Sequence, residues 1–277
     1  MKKALTVIAA MAISLAACAQ TYTWSRVSMD GSRTGCTYPG ADNVTEALGN
    51  LKGKKYVAPN AKCYKGGAVA GVAKALLAVQ PQMADLKQVV AYCPDGMETR
   101  GGNSPLANFA TDVMLKSAPK LFGREADIAV LNSGGIRANV PAGNVLKDDM
   151  VAIFPFHNKL VLVEYPGQVL IDFLTRQARR PQPYAGAQVV VKDGEIQSMS
   201  VGGKEIDPEG TYYMVTIDFL LGSGDNMRLA AGSTDVKYTD LDVIDVILDY
   251  LAEEKAAGRP ISAKADDRYV FIGERRN

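Results

Sequence analysis

Histidine is almost absent from this chain of 277 residues, which carries a single one, His157. A lone imidazole cannot build the kind of metal centre that two-metal hydrolysis needs. Also missing are a Gly-rich phosphate loop ending in Gly-Lys-Ser/Thr, a Gly-x-Ser-x-Gly elbow, a Cys-x-x-Cys pair and an EF-hand loop. Those gaps argue against P-loop, serine-hydrolase, dithiol and calcium-loop chemistry. Charge of one sign is scarce too: the formal net charge is +1. That gives no general attraction to nucleic acid or to an anionic membrane, so any preference for anions must come from a local site. Internal repeats and low-complexity stretches are absent. What remains is an ordinary globular composition, 47% hydrophobic and 22% charged, with ample capacity for a core.

The N-terminus reads as a targeting segment. Lys2 and Lys3 precede an apolar run, Ala4 to Ala17, that is too short to span a bilayer. The run ends in Leu15-Ala16-Ala17-Cys18, which resembles a bacterial lipobox and makes Cys18 the lipidation candidate. Cleavage after Ala19 at a small-x-small site is the competing reading, and an uncleaved anchor is a third. With Cys18 acylated, Cys36, Cys63 and Cys93 are left, enough for one internal disulfide. Cys36 with Cys63 is the plausible pair, and Cys93, in a strand-like run, reads as a buried inert thiol.

Hydrophobic periodicity divides the rest into a signal peptide at 1–17, a loop-rich N-terminal extension over 18–86 and a larger domain over 87–277. The extension ends in a helix expected over 67–86, with Val69, Val72, Ala73, Leu76, Leu77 and Val79 as an apolar stripe interrupted near Pro81. Expected strands are 87–92, 126–131, 160–165, 212–217 and 269–272. Expected helices begin after a cap-like Ser104 and run over 167–179 and 241–256. Asp193-Gly194, between two alternating runs, signals a hairpin. The alternation predicts an α+β fold, a mixed β-sheet packed with helices.

Four segments carry the chemistry. In Asn132-Ser133-Gly134-Gly135-Ile136-Arg137, adjacent glycines at a strand exit let the backbone approach a ligand, and Arg137 offers a fork of donors. The others are Ser104 to Met114, Phe154-Pro155-Phe156-His157-Asn158, and Thr216 to Phe219 with Gly222-Ser223-Gly224-Asp225. Each alone has a plain alternative: a strand-to-loop transition, a pair of core aromatics, a turn-capping aspartate, an ion-paired arginine. Taken in order, they resemble the C-terminal, substrate-binding domain of the 5'-nucleotidase family over roughly residues 87 to 272.

That resemblance implies an α+β domain in which a nucleobase lies between two phenylalanines, here Phe156 and Phe219. It implies that Asn158 hydrogen-bonds the ring edge, Asp225 accepts from ribose hydroxyls, and Arg137 lies near ribose and phosphate with Asn132 beside it. Arg100 matches another family arginine through a looser alignment. The family's Gly-Gly-Asp-Gly-aromatic ending stands here as Ser223-Gly224-Asp225-Asn226-Met227, and His157 takes a position that is usually small or polar.

In the family a separate metallophosphoesterase domain supplies two metals through several histidines, which this chain does not have. The expectation is therefore a chain with no cofactor or catalytic residue of its own. It would recognise a nucleotide or nucleoside, be held at the cell envelope by a lipid anchor, and work with a separate metallophosphatase chain carrying the divalent metals. A stand-alone nucleoside-binding lipoprotein is the alternative, and a relic with a structural role a third. Nucleic acid is not an expected partner.

Overall fold

The computed structural model describes residues 43–178 and 181–273. The leader, Cys18 and Cys36 lie outside the described residues. The first part holds helix α1 (Val44–Leu48), strands β1 (Asn50–Lys52), β2 (Lys55–Val57) and β3 (Cys63–Tyr64), and helix α2 (Gly67–Val79). These three strands form a small antiparallel sheet. Helix α2 stops seven residues before the expected end, and a 3₁₀ turn, Gln80–Met83, takes over with Pro81 in its first turn. Proline has no N–H for an α-helical bond and clashes with the preceding turn. Nearby, the ammonium of buried Lys87 donates to Gln80 Oε1 and ties this turn to the start of the main body.

The main body continues with β4 (Val89–Cys93), α3 (Pro105–Phe122), β5 (Ile128–Val130), β6 (Gly143–Leu146), α4 (Lys147–Ile153), β7 (Lys159–Pro166) and α5 (Gly167–Gln177). Next come β8 (Tyr184–Ala185), β9 (Ala187–Lys192), β10 (Glu195–Val201), β11 (Lys204–Glu205), β12 (Thr211–Ile217) and the short α6 (Asp218–Leu221). Strand β13 (Asp235–Asp242), helix α7 (Val243–Ala256) and β14 (Tyr269–Ile272) close the chain. The fold is α+β, as expected.

Five strands in the order β13-β7-β12-β5-β8 make the central sheet, and β11-β10-β9-β14 a second one. Strand β7 is apolar on both faces, with Leu160 to Val163 buried, because helices cover the sheet. Helix α3 turns Leu106, Phe109, Ala110, Val113, Met114 and Ala118 inward at helical spacing. Ser104 occupies its N-cap with extended backbone, but its hydroxyl makes no capping bond. That part of the expectation is corrected; Pro105 at the first helical position still fixes the start. Truncating fully buried Leu106 or Met114 to alanine would cost about 2–5 kcal/mol. Cys93 is buried, and burial pushes its thiol pKa up, consistent with an inert side chain.

The Asp193-Gly194 hairpin forms, with Glu195 opposite Lys192. Strand β13 is an addition to the elements expected from periodicity. Its three aspartates and one lysine have poor strand propensity, and it holds as a bulged edge strand because β7 supplies the pairing, Val236 opposite Val163.

Candidate functional site: the carboxyl end of the central sheet

Register fixes where the functional segments meet. Strands β5 and β12 run parallel, Ile128 opposite Met214 and Ala129 opposite Val215, so they end side by side. Strand β7 runs antiparallel to β12, with Leu160 opposite Ile217, so it begins where β12 ends. The loop after β5 (132–137), the approach to β7 (154–158) and the turn after β12 (218–227) therefore share one end of the sheet. Open sheets commonly place ligands outside the carboxyl ends of parallel strands.

At that end Asn132 is buried, 5% exposed, and its Nδ2 donates to Asp225 Oδ2 at 2.6 Å. Asp225 is thus held across the site by a residue 93 positions away and is not simply a turn cap. Its own backbone is left-handed (φ 45°), as is that of Asn226 (φ 59°). Asn226 stands where the family motif has glycine, and asparagine tolerates this region better than most residues. Gly224 is required for close approach: a Cβ there would lie 2.1 Å from Phe219 O and 2.8 Å from its ring. Gly135 leaves room for the Asn132 amide in the same way, a Cβ coming within 2.8 Å of Oδ1. That Oδ1 is buried and has no hydrogen-bond partner among the described residues, a costly state that a ligand donor could relieve.

Phe156 and Phe219 are each 46% exposed. Neither is a core aromatic, and neither has a ring partner among the described residues. Asn158 is half-buried between Phe156 and β7. Arg137 is exposed; its Nη1 donates to Gly134 O at 3.2 Å, and it has no carboxylate partner among the described residues. Its backbone N–H is fixed to Ile153 O at 2.9 Å, which ties the glycine loop to the segment leading to Phe156. Arg100 is exposed and follows Thr99, whose N–H donates to Asn139 Oδ1 at 2.9 Å. That bond places the backbone beside Arg100 next to Asn139, two residues beyond Arg137.

A cavity of about 550 Å³ opens on the Asp225 side, lined by Ser133, Gly134, Phe173, Arg176, Gln182 and Asn226 among others. Arg176 and Gln182 were not singled out from sequence, because they come from α5 and the approach to β8, which share no motif. Gln182 Oε1 accepts the Ser133 N–H at 2.9 Å and so pins the glycine loop from below.

His157 lies in the loop before β7, and its exposed ring meets Asp242 Oδ2 at 2.6 Å. Asp242 is buried at the N-cap of α7, and Lys159 Nζ lies 2.7 Å from its Oδ1. Burial pushes the Asp242 carboxyl up, but hydrogen bonds from Lys159 and His157 outweigh it and hold the pKa below the ordinary value. Among the described residues no three His, Cys, Asp or Glu side chains gather around a point that could hold a metal. The pair His157–Asp242 does not fit the donor set of a two-metal centre. Cys63 is exposed, while Cys36 lies outside the described residues. No described helix is long and apolar enough to cross a membrane.

Fold and register together define an α+β domain whose four motif segments lie on or beside elements of the central sheet and its covering helix. Residues 83–232, more than half of the chain, match the model of the 5'-nucleotidase C-terminal domain, and the chain belongs to that family. It is 30% identical over 156 residues to a 5'-nucleotidase of Vibrio cholerae, covering 54% of this chain and 27% of that protein. It is 35% identical over 107 residues to Protein UshA of Escherichia coli, covering 36% of this chain and 19% of that protein. Among solved structures it resembles a 5'-nucleotidase precursor from Thermus thermophilus, with a TM-score of 0.64 and 25% identity, over 79% of this chain and 46% of that one. The chain thus spans about a fifth to a quarter of the length of the curated relatives it matches.

Proposed function

We propose that this chain is the nucleotide- or nucleoside-recognition subunit of a 5'-nucleotidase-type phosphohydrolase acting in nucleotide catabolism. Its base would lie between Phe156 and Phe219, where stacking suits any base and contributes about 1–3 kcal/mol per base. Asp225, a pure acceptor when ionised, would take the ribose hydroxyls, with Asn132 Oδ1 open to a further donor. Asn158 would meet the base edge, and Arg137, assisted by Arg100, the phosphate. The observation that carries this reading is the meeting, at one sheet end, of two half-exposed phenylalanines and the Asn132–Asp225 pair.

Divalent metals and the hydrolytic step would come from a separate metallophosphatase chain, because the single histidine leaves this one without the ligands. The partner's kcat/KM would rise through positioning of the nucleotide, an effect that can supply several kcal/mol of a barrier. The leader reading adds anchoring to the cell envelope through diacylated Cys18, two chains being enough for stable attachment.

The test is calorimetric titration of the mature chain with adenosine and AMP, in wild type and Arg137→Ala. Binding of both ligands, with Arg137→Ala weakening AMP more than adenosine, supports the reading. No binding of either ligand would sink it. Binding without any effect on a cognate metallophosphatase would shift the reading to a stand-alone binding lipoprotein.

A further inference from the structure

The chain's near-neutral total hides an uneven distribution. Between Asn43 and Val79 there are six lysines, Lys52, Lys54, Lys55, Lys62, Lys65 and Lys74, against the single acid Glu46. From Gln80 onward acidic residues outnumber basic ones. All six lysines are exposed, and none forms an ion pair with another described residue.

The same unit has an inverted helix. Of α2's residues only Ala70 and Ala73 are buried, while Val69, Val72, Leu76 and Val79 are 50%, 60%, 49% and 40% exposed. Their spacing puts them on one stripe, and α2's solvent side carries no acidic group. An apolar helix face of this kind is normally covered by something. With 13 residues α2 is about 20 Å long, too short to cross a hydrocarbon core of about 30 Å, so it can only lie along a surface.

We propose that residues 43–79 dock on an anionic phospholipid bilayer, α2 lying in the headgroup plane with its Val–Leu stripe at the acyl boundary and the lysines pairing with acidic headgroups. Apolar burial combined with lysine attraction is how interfacial helices bind, and a basic patch strengthens a lipid anchor that shares its chain. Charge complementarity favours a bilayer over a second copy, which would bring six lysines against six. The position in the chain favours it as well. Cys18 lies 25 residues before Asn43, so an acylated N-terminus would keep this unit within about 90 Å of the membrane whatever path the chain takes.

The test uses the mature chain from Ala19, which lacks the acylated residue, so the patch is read without the anchor. Co-sedimentation is measured with vesicles of phosphatidylcholine alone and of phosphatidylcholine mixed with phosphatidylglycerol. The expected result is association with the anionic vesicles only, weakening steeply as salt rises. Lys54→Glu with Lys55→Glu should lower partitioning by at least tenfold, since each lysine is worth roughly fivefold. Leu76→Asp should lower it as well, with the thermal midpoint unchanged because the residue is exposed. Equal association with both vesicle types, or none, overturns the proposal. So does a concentration-dependent dimer abolished by Leu76→Asp, or protection of α2 by a metallophosphatase chain in place of lipid.

Discussion

Two turns in this molecule put an aspartate into the left-handed region, and they behave differently. At the β9–β10 hairpin, Asp193 (φ 51°) is followed by Gly194 (φ 87°), and a Cβ on Gly194 would meet nothing within 4 Å. The space around Gly194 is open and glycine takes the positive φ without strain, while the Asp193 N–H donates to Ile272 O at 3.0 Å. After β12, Asp225 (φ 45°) is followed by Asn226 (φ 59°), with no glycine to absorb the conformation. That turn is held from outside itself, by Asn132 Nδ2 on the Asp225 carboxylate and by the Phe219 ring packed on Gly224. A structural turn relieves strain; a turn that presents a carboxylate stores it and needs distant residues to keep it.

The comparison breaks most visibly at Gly224. Gly224→Ala places a methyl 2.1 Å from Phe219 O, so Phe219 must move. Nucleoside affinity should fall at least tenfold and stability by about 1–3 kcal/mol, read by calorimetry and denaturant titration. Preserved affinity would mean that the ring position does not matter.

Asn132→Asp comes next. It sets a second carboxylate where an amide now lies 2.6 Å from Asp225, and two such groups cannot both ionise cheaply. Affinity for adenosine should drop at pH 7.5, and part of the loss should return near pH 4.5 as the pair takes up a proton. A loss independent of pH would point to packing in place of charge.

The two left-handed positions without a clash give the contrast, Gly194 in the hairpin and Asn226 in the turn after β12. Gly194→Ala should cost about 1 kcal/mol, the penalty of a left-handed alanine with no clash added, and leave affinity untouched. Asn226→Gly, by relieving strain while loosening the unfolded chain, should change stability by no more than about 0.5 kcal/mol.

A further prediction concerns acid. The Asp242 carboxyl is held below its ordinary pKa in the fold. Its contribution is therefore fully present above the unfolded value and lost as pH falls through the lower folded value. The stability difference between wild type and Asp242→Asn, about 1 kcal/mol for a charge at a helix N-terminus, should be present at pH 5 and shrink below pH 4. A difference that persists undiminished below pH 3 would contradict the assignment.

What could be read from sequence rested on local signals. The hairpin at Asp193-Gly194, the buried run of β7 and the apolar face of α7 each carry a period and a boundary within a dozen residues. Strand β13 was hidden because pairing with β7, not propensity, makes it a strand. Four motif segments could be named, but their meeting at one sheet end depends on the parallel pairing of β5 with β12 and the antiparallel pairing of β12 with β7. The Asn132–Asp225 bond spans 93 positions, and the Arg176 and Gln182 walls of the cavity share no motif with it. The outward stripe of α2 has the spacing of a buried one, and only the fold shows that it faces solvent.

The central claim is that Phe156 and Phe219 are ligand-facing rings, and calorimetric titration of adenosine into wild type, Phe156→Ala and Phe219→Ala tests it most directly. Both rings are about half-exposed, so each variant should keep its thermal midpoint while losing about 1–3 kcal/mol of binding. Wild-type affinity in both variants, or a loss of binding matched by a loss of fold, would contradict it.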